Sequence, residues 1–353
     1  MRNEVMRNEV WIVADCKTYG GIESHLLQLM LGLKALKISV RLVLVAEYSP
    51  PSPLVEKVKR HQLEYSYISQ LASGNIGLQG LRYAVTKYQP ILLHSHGYKA
   101  SILCKLTRLL TGLPQISTYH AGETPKGKVW IYDFIDRFST FLSSRSFAVS
   151  KPIQDKLWGK SIRFNNFVSC VDLEVGNTNR IAFVGRLSEE KAPERFLALA
   201  NQFPSQEFDC FGAGPLLDKL KSLKPSNLSL HGHVSDPERI WNKTKIVVIC
   251  SKFEGLPMVA LEAMSKKCIV VCTAVGDLPS LIENGENGFI GNSKALPQLL
   301  NQALELNEEE LKTLQNKAFN TVFKHYSPHV IVPKVVQQYQ KAIGQGDSQF
   351  ENL

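Results

Sequence analysis

The sequence predicts an α/β protein of two lobes, each a parallel sheet clothed in helices. Short apolar runs alternate with helical patterns along the whole chain. The same cycle starts again near Arg180. A length of 353 residues exceeds one typical domain and suits two.

In the first half, "EVWIVAD" reads as a strand and "GGIESHLLQLMLGLKAL" as a helix, with apolar residues three and four apart. "SVRLVLVAE" is the next strand, followed by a proline-rich turn at Pro50, Pro51 and Pro53. Helices "LVEKVKRHQL" and "GNIGLQGLRYAVTKY" lead to strand "PILLHSH", helix "YKASILCKLTRLLTG" closed by Gly112, and strand "PQISTYH". "KVWIYDFIDRFSTFLSS" is a long helix whose apolar stripe predicts a core face, and "SRSFAVS" is the last strand. The second cycle runs through strands "RIAFVGR", "EFDCFGAG", "LSLHGHV", "KIVVICS" and "CIVVCTA", with a helical tail from "LPQLLNQALEL" to about Ala342. Strands separated by helices imply parallel pairing with right-handed crossovers. The prediction is two Rossmann-like lobes facing across a cleft, over residues 1–167 and 168–353. The C-terminal helices are expected to pack back on the first domain. Ligands belong at the carboxyl ends of such strands.

Composition narrows the function classes. The hydrophobic fraction of 44% and charged fraction of 21% suit a soluble globular chain. The start is charged without an apolar core. No apolar run reaches the length of a spanning helix, which is roughly 20 residues. Seven cysteines without a C-x-x-C pair read as core thiols. A cytoplasmic location follows as the expectation. The net charge is +9, with 22 Lys and Arg against 11 Asp and Glu in residues 1–165. That imbalance calls for an anionic partner there, and the basic helices at 54–63 and 98–110 suggest an anionic membrane surface. No aromatic and basic platform for nucleic acid is evident.

At the predicted strand ends, Gly20-Gly21 forms a strand-to-helix turn whose N–H groups can approach an anion or simply make a tight turn. "GAGPLL" at 212–217 breaks the G-x-G-x-x-G pattern, which argues against a nicotinamide dehydrogenase. Arg186 directly after a strand and Lys191 at a helix start suit a diphosphate, or else two solvated cations beside Glu189 and Glu190. In "SKFEGLPMVALEAMSKK", Pro257 fits the first helical position, placing Glu254 in the loop and Glu262 on the second turn. A carboxylate there pairs well with a vicinal diol such as a ribose. His94 and His96, like His231 and His233, share one face of their strand by alternation. No third ligand stands beside either pair in sequence, so polar lining is preferred to metal.

Together, "GGIE" at 20–23, "STYHAGE" around His120, "FAVS" to Ser150, "FVGRLSEEK" at 183–191, "FGAGP", "LHGHVSD", "FEGLPMVALEAM" and "ENGENGFI" resemble the retaining glycosyltransferases of family 4, with the GT-B fold. The resemblance spans residues 20 to 290. It implies that Arg186 and Lys191 hold a nucleotide-sugar diphosphate with backbone help from Gly20 and Gly21. It implies that Glu262 binds the ribose, and that Glu254 faces the transferred sugar. The backbone of Gly255, Leu256, Pro257, Met258 and Val259 would lie near the phosphates and sugar, and His120 beside the reacting carbon. The catalytic set would be His120, Glu254, Arg186 and Lys191. No metal or cofactor beyond the nucleotide-sugar donor, UDP-linked by expectation, is implied. The acceptor would be a glycan or lipid-linked glycan in cell-surface polysaccharide or lipopolysaccharide synthesis. "VGDLPS", with Asp277 and Ser280, and "EKA" in place of "EKG" depart from the family pattern. A GT-B nucleotide-sugar epimerase and a non-catalytic GT-B partner are the alternatives.

Overall fold

The computed structural model describes residues 8–120, 128–171, 179–234 and 238–344. The chain divides into two compact units, 1–165 with 328–353, and 166–327.

The first unit holds strands β1 (Val10–Ala14), β2 (Val40–Leu44), β3 (Glu64–Tyr67), β4 (Leu92–His96), β5 (Gln115–Tyr119), β6 (Arg145–Ala148) and β7 (Ile162–Arg163). All pair parallel, in the order β3-β2-β1-β4-β5-β6-β7. Its helices include α1 (Gly21–Ala35), α2 (Pro53–Arg60), α3 (Ile68–Leu71), α4 (Gly77–Tyr88), α5 (Tyr98–Thr111), α6 (Lys128–Phe138) and α7 (Lys151–Gln154). The central strands are continuous apolar runs because helices cover both faces; every residue of β1 and β2 is buried. Ser52 caps α2 and Pro53 opens it, while Gly112 closes α5 in the left-handed region.

The second unit repeats the plan. Strands β8 (Arg180–Val184), β9 (Phe208–Phe211), β10 (Leu228–Gly232), β11 (Thr244–Ile249), β12 (Ile269–Thr273) and β13 (Phe289–Gly291) pair parallel in the order β10-β9-β8-β11-β12-β13. Helices α8 (Pro193–Gln202), α9 (Leu217–Leu223), α10 (Glu238–Trp241), α11 (Met258–Ser265), α12 (Leu278–Leu281), α13 (Leu296–Glu305) and α14 (Glu308–His325) surround it. Edge strand β10 alternates more and less exposed residues, as one open face requires. Helix α15 (Pro328–Ile343) returns to the first unit. There it meets α1 so closely that a Cβ on Gly32 would lie 2.5 Å from Val332.

The tail is helical to Ile343, as expected, in three helices. Two expectations are corrected. Strands β3, β7 and β13 are not visible in the sequence pattern, being short or polar. The stripe of α6 is not core: Trp130, Ile131, Phe134, Ile135, Phe138 and Phe141 are exposed. What α6 buries is a carboxylate. Asp136 accepts from Lys105 Nζ at 2.6 Å and Ser101 Oγ at 2.5 Å, and Lys105 also reaches Tyr119 Oη at 2.9 Å. Lys105 is about 1% exposed, so this cation of α5 is internal. Arg108 is likewise engaged, by Leu142 O and Ser144 Oγ.

Removing one partner of a buried ion pair strands the other charge. Lys105→Met is therefore expected to destabilise the first unit by about 3 kcal/mol or more, with Lys105→Met/Asp136→Asn recovering much of it. Urea unfolding checks this, and an unchanged midpoint in the single variant contradicts it.

Candidate functional site

In an order such as 3-2-1-4-5, the sheet reverses direction between the first and fourth strands, and the flanking loops diverge there. In the second unit that point lies between β8 and β11. The loop after β8 carries Gly185 and Arg186, and it rests on the glycines of "FGAGP". A Cβ on Gly212 would sit 1.8 Å from Gly185 O, and one on Gly214 would sit 2.4 Å from Leu187 O. Gly185 N–H donates to Phe211 O and Leu187 N–H to Ala213 O. The Arg186 side chain is left exposed on this seat, with no hydrogen bond or ion pair of its own among the described residues, while Arg186 O accepts from Ser188 N–H.

The loop after β11 carries Glu254. Lys191 Nζ donates to both of its oxygens at 2.7 Å, and Ser251 Oγ donates at 2.6 Å. Lys191 therefore pairs with Glu254 rather than with Glu189 or Glu190; the Glu190 carboxylate accepts from Ser188 Oγ. The Glu254 side chain is only 6% exposed. The loop is clamped along its length. Lys252 N–H donates to Glu190 O, Asn166 Nδ2 to Leu256 O at 2.7 Å, and Asp277 N–H to Gly255 O. Gly276, at φ +60°, sits where a Cβ would meet the carbonyl oxygens of Glu254 and Gly255 at 2.4 Å. The "VGD" departure thus lies directly against the Glu254 loop.

Helix α11 starts at Met258, with Pro257 as its extended N-cap rather than its first helical residue. Val259 lies in its first turn, and Glu262, half-buried, is its fifth residue. Glu254 and Glu262 thus lie on different elements.

The first unit has its own reversal between β1 and β4, and a pocket of about 180 Å³ opens there. Gly20 precedes α1, but its N–H donates to Glu23 Oε2 at 2.9 Å, so the helix's own carboxylate takes that group. Burial pushes the Glu23 carboxyl above its usual range. His94 and His96 point to one face of β4, with ring centroids 4.3 Å apart. His94 is held at both nitrogens, by Tyr339 Oη at 2.6 Å and Thr118 Oγ1 at 2.7 Å. His96 Nδ1 lies 2.9 Å from His120 Nε2, and His25 of α1 packs against both rings. Burial pushes His94 down to about 3 and holds His96 and His120 well below the usual histidine range. The neighbours that the H-x-H pattern lacks in sequence are therefore two histidines, His25 of α1 and His120 just after β5. His231 instead bonds Asp209 at 2.6 Å and stacks on Phe211.

Two family models match, and between them they take in both units: Glycosyltransferase Family 4 over residues 19–163 and Glycosyl transferases group 1 over residues 171–321. The chain is a GT-B glycosyltransferase. An uncharacterized glycosyltransferase of Methanocaldococcus jannaschii is 27% identical over 269 residues, covering 70% of this chain and 75% of its own. A Campylobacter jejuni α-1,4-N-acetyl-D-galactosaminyltransferase, whose named acceptor is an undecaprenol-diphosphate-linked glycan, is 27% identical over 238 residues, covering 62% and 66%. HepE of Anabaena, solved in complex with UDP-glucose, superposes with a TM-score of 0.78 at 16% identity, covering 94% of this chain and 99% of its own.

In this glycosyltransferase, the structure brings Arg186, Lys191, Glu254 and α11 to one end of the second sheet. It places Gly20, Gly21 and His120 at the corresponding end of the first. Sequence reasoning missed Asn166 and Gly276 as clamps of the Glu254 loop, and His25 beside His120. A histidine at the fifth position of α1, one turn beyond the "GG" pair, was the available signal for the last.

The Lys191–Glu254 pair makes a stability prediction. Lys191→Met leaves a nearly buried carboxylate with one hydroxyl, at a cost of about 1–3 kcal/mol. Glu254→Gln in the same background is expected to restore part of it. Arg186→Ala, an exposed site, stays within about 0.5 kcal/mol of the parent. Thermal and urea unfolding of the four proteins distinguish the cases, and equal stability throughout contradicts the pairing.

Proposed function

We propose that this glycosyltransferase moves a hexose-type sugar, with retention, from a UDP-sugar to a hydroxyl of a lipid-linked glycan. The observation that carries the reading is the grouping of Arg186, Lys191, Glu254 and the α11 N-terminus at one sheet end. A diphosphate gains negative charge as it leaves, and a guanidinium, an ammonium and helix N–H groups stabilise that charge. Lys191 is fixed by Glu254, so its position is set before any phosphate arrives. Glu254 is assigned to hydroxyls of the transferred sugar and Glu262 to the ribose hydroxyls. Gly21 N–H is assigned to the diphosphate, because Gly20 N–H is already bound by Glu23. His120 is assigned to the sugar as a neutral imidazole, able to donate or accept one hydrogen bond.

In the step proposed, the bond from the anomeric carbon to the phosphate oxygen breaks. The acceptor oxygen bonds the same face of that carbon, and its proton passes to the departing phosphate. The cations bear the leaving charge, so no metal ion is required by this scheme. The UDP assignment is supported by the complex of HepE, and the lipid-linked acceptor by the named substrate of the Campylobacter relative.

The test is turnover and calorimetry. Arg186→Ala is expected to lower kcat/KM about 100-fold with little effect on stability. Glu262→Ala is expected to weaken UDP binding about tenfold. Undiminished turnover in Arg186→Ala overturns the diphosphate assignment, and an inverted anomeric configuration in the product, read by NMR, overturns retention.

A membrane-facing reading is favoured by a separate feature, the exposed row Trp130, Phe134, Phe138 and Phe141 with Trp158. Aromatic side chains of this kind suit the headgroup boundary of a bilayer. Of the cations of α5, Lys105 and Arg108 are engaged internally and Lys99 is half exposed beside Asp15, while Lys59 and Arg60 of α2 are exposed. Flotation with anionic vesicles is expected for the parent and to be lost in Trp130→Ala/Phe134→Ala/Phe138→Ala. Parental flotation in the triple variant contradicts this assignment.

A further inference from the structure

We propose that His25, His96 and His120 form a binding site for one divalent transition-metal ion of the zinc class. Each offers a ring nitrogen, and the three nitrogens lie within 4.8 Å of one another. Bonds of about 2.0–2.1 Å in a tetrahedron put ligand nitrogens about 3.3 Å apart. The His96 and His120 nitrogens at 2.9 Å need to separate only slightly to admit an ion. The longest gap closes by roughly 1.5 Å to reach that tetrahedral spacing.

The chemistry of the donors fits such an ion. Three imidazoles select zinc, cobalt, nickel or copper over magnesium or calcium, which prefer oxygen. Imidazoles buried in the neutral state present lone pairs rather than N–H⁺ groups. His96 is 2% exposed. The His96 nitrogen that faces His120 is Nδ1, and Nε2, on the other side of the ring, has no hydrogen-bond partner among the described residues. His94 is excluded as a ligand because Tyr339 and Thr118 occupy both nitrogens. Instead it forms the fixed wall behind His96, as outer partners orient ligands in metal sites. Three protein ligands leave a fourth position for water or substrate oxygen, the open arrangement of reactive zinc sites. His96 and His120 line the pocket together with Asp15 and Glu23 and with Lys99 and Arg137, so an ion has an entry path lined by groups of both signs.

The three ligands come from a helix, the last residue of β4 and the residue just after β5, all in a single compact unit. The site is therefore built by the β1–β4 reversal itself. An ion there engages the His120 nitrogen, so loading is expected to inhibit transfer. That consequence alone rests on the role proposed for His120; ion binding does not.

The experiment uses the full chain freed of metal by chelation. Co²⁺ serves as a visible probe and Zn²⁺ as competitor. One Co²⁺ per chain is expected, displaced by Zn²⁺, with binding weakened about tenfold or more in His25→Ala, His96→Ala and His120→Ala. His233→Ala, an exposed histidine of the second unit, is expected to bind like the parent. Because a buried-histidine variant can fail to fold, X-ray absorption on the Co²⁺-loaded parent counts the ligands directly, and three imidazoles are expected. No saturable uptake, uptake indifferent to all three substitutions, or fewer than two imidazoles overturns the proposal. Histidine-dependent uptake without inhibition of turnover upholds the site and overturns the role of His120 instead.

Discussion

A parallel sheet that winds outward from its middle leaves one place where two neighbouring loops turn away from each other. Arg186, Lys191, Glu254 and the pocket of the first unit all sit at such places. In the second unit, the loops after β8 and β11 diverge and then meet again, through Lys252 N–H on Glu190 O and through the Lys191–Glu254 pair. That pair fixes an ammonium and a carboxylate that would otherwise swing on flexible stems. In the first unit, the loops after β1 and β4 open the pocket that His96 and His120 line. The same topological fact thus produces an anion-suited end on one sheet and an imidazole-rich end on the other.

Divergent loops need a rigid seat, and glycine supplies it here. Gly212, Gly214 and Gly276 are each pressed against a carbonyl oxygen at a distance no Cβ tolerates. Their role is close approach of backbone to backbone, which holds Arg186 and Glu254 at fixed heights above the sheet. Ala192 shows the opposite compromise, adopting φ +49° at the position where "EKA" departs from "EKG". Glycine enters this left-handed conformation without strain, and an L side chain does not. The departure leaves the turn's geometry in place and accepts the strain of a Cβ there.

The legible parts of the sequence were those where burial on both faces erases alternatives. "VWIVA", "VRLVL" and "IVVCT" could only be central parallel strands, and the order of lobes followed from their spacing. The grouping of Arg186, Lys191 and Glu254 was legible because each lies in the loop between a strand and the next helix. Strand β3, "EYSY", was illegible because an edge strand with polar residues carries no distinctive period. Helix α6 misled for a related reason. A 3.6-residue apolar stripe predicts one continuous face without saying which face is covered, and here the buried anchor is Asp136. The histidine triad was illegible because His25, His96 and His120 lie on separate elements, and only the register of β4 beside β5 brings the latter two together.

Charge counting shows the same limit. The excess of cations in residues 1–165 suggested a basic surface resting on anionic lipid. Yet Lys105 lies against Asp136, Lys99 against Asp15, and Arg41 against Glu9, while Arg108 is held by a carbonyl and a hydroxyl. Each of the three ion pairs removes one cation and one acid together, so the excess of cations over acids in residues 1–165 is unchanged by them. What they change is where the field arises: a paired cation contributes a short-range dipole, and the long-range potential comes from the cations that face water, Lys59 and Arg60 among them. What α5 and α6 present instead is apolar: Leu106, Leu109 and Leu110 on one, and the aromatic row on the other. A surface of that kind meets a bilayer through its rings and leucines, with the exposed cations of α2 as the electrostatic supplement. The lobe that is basic by count is amphipathic by structure as well.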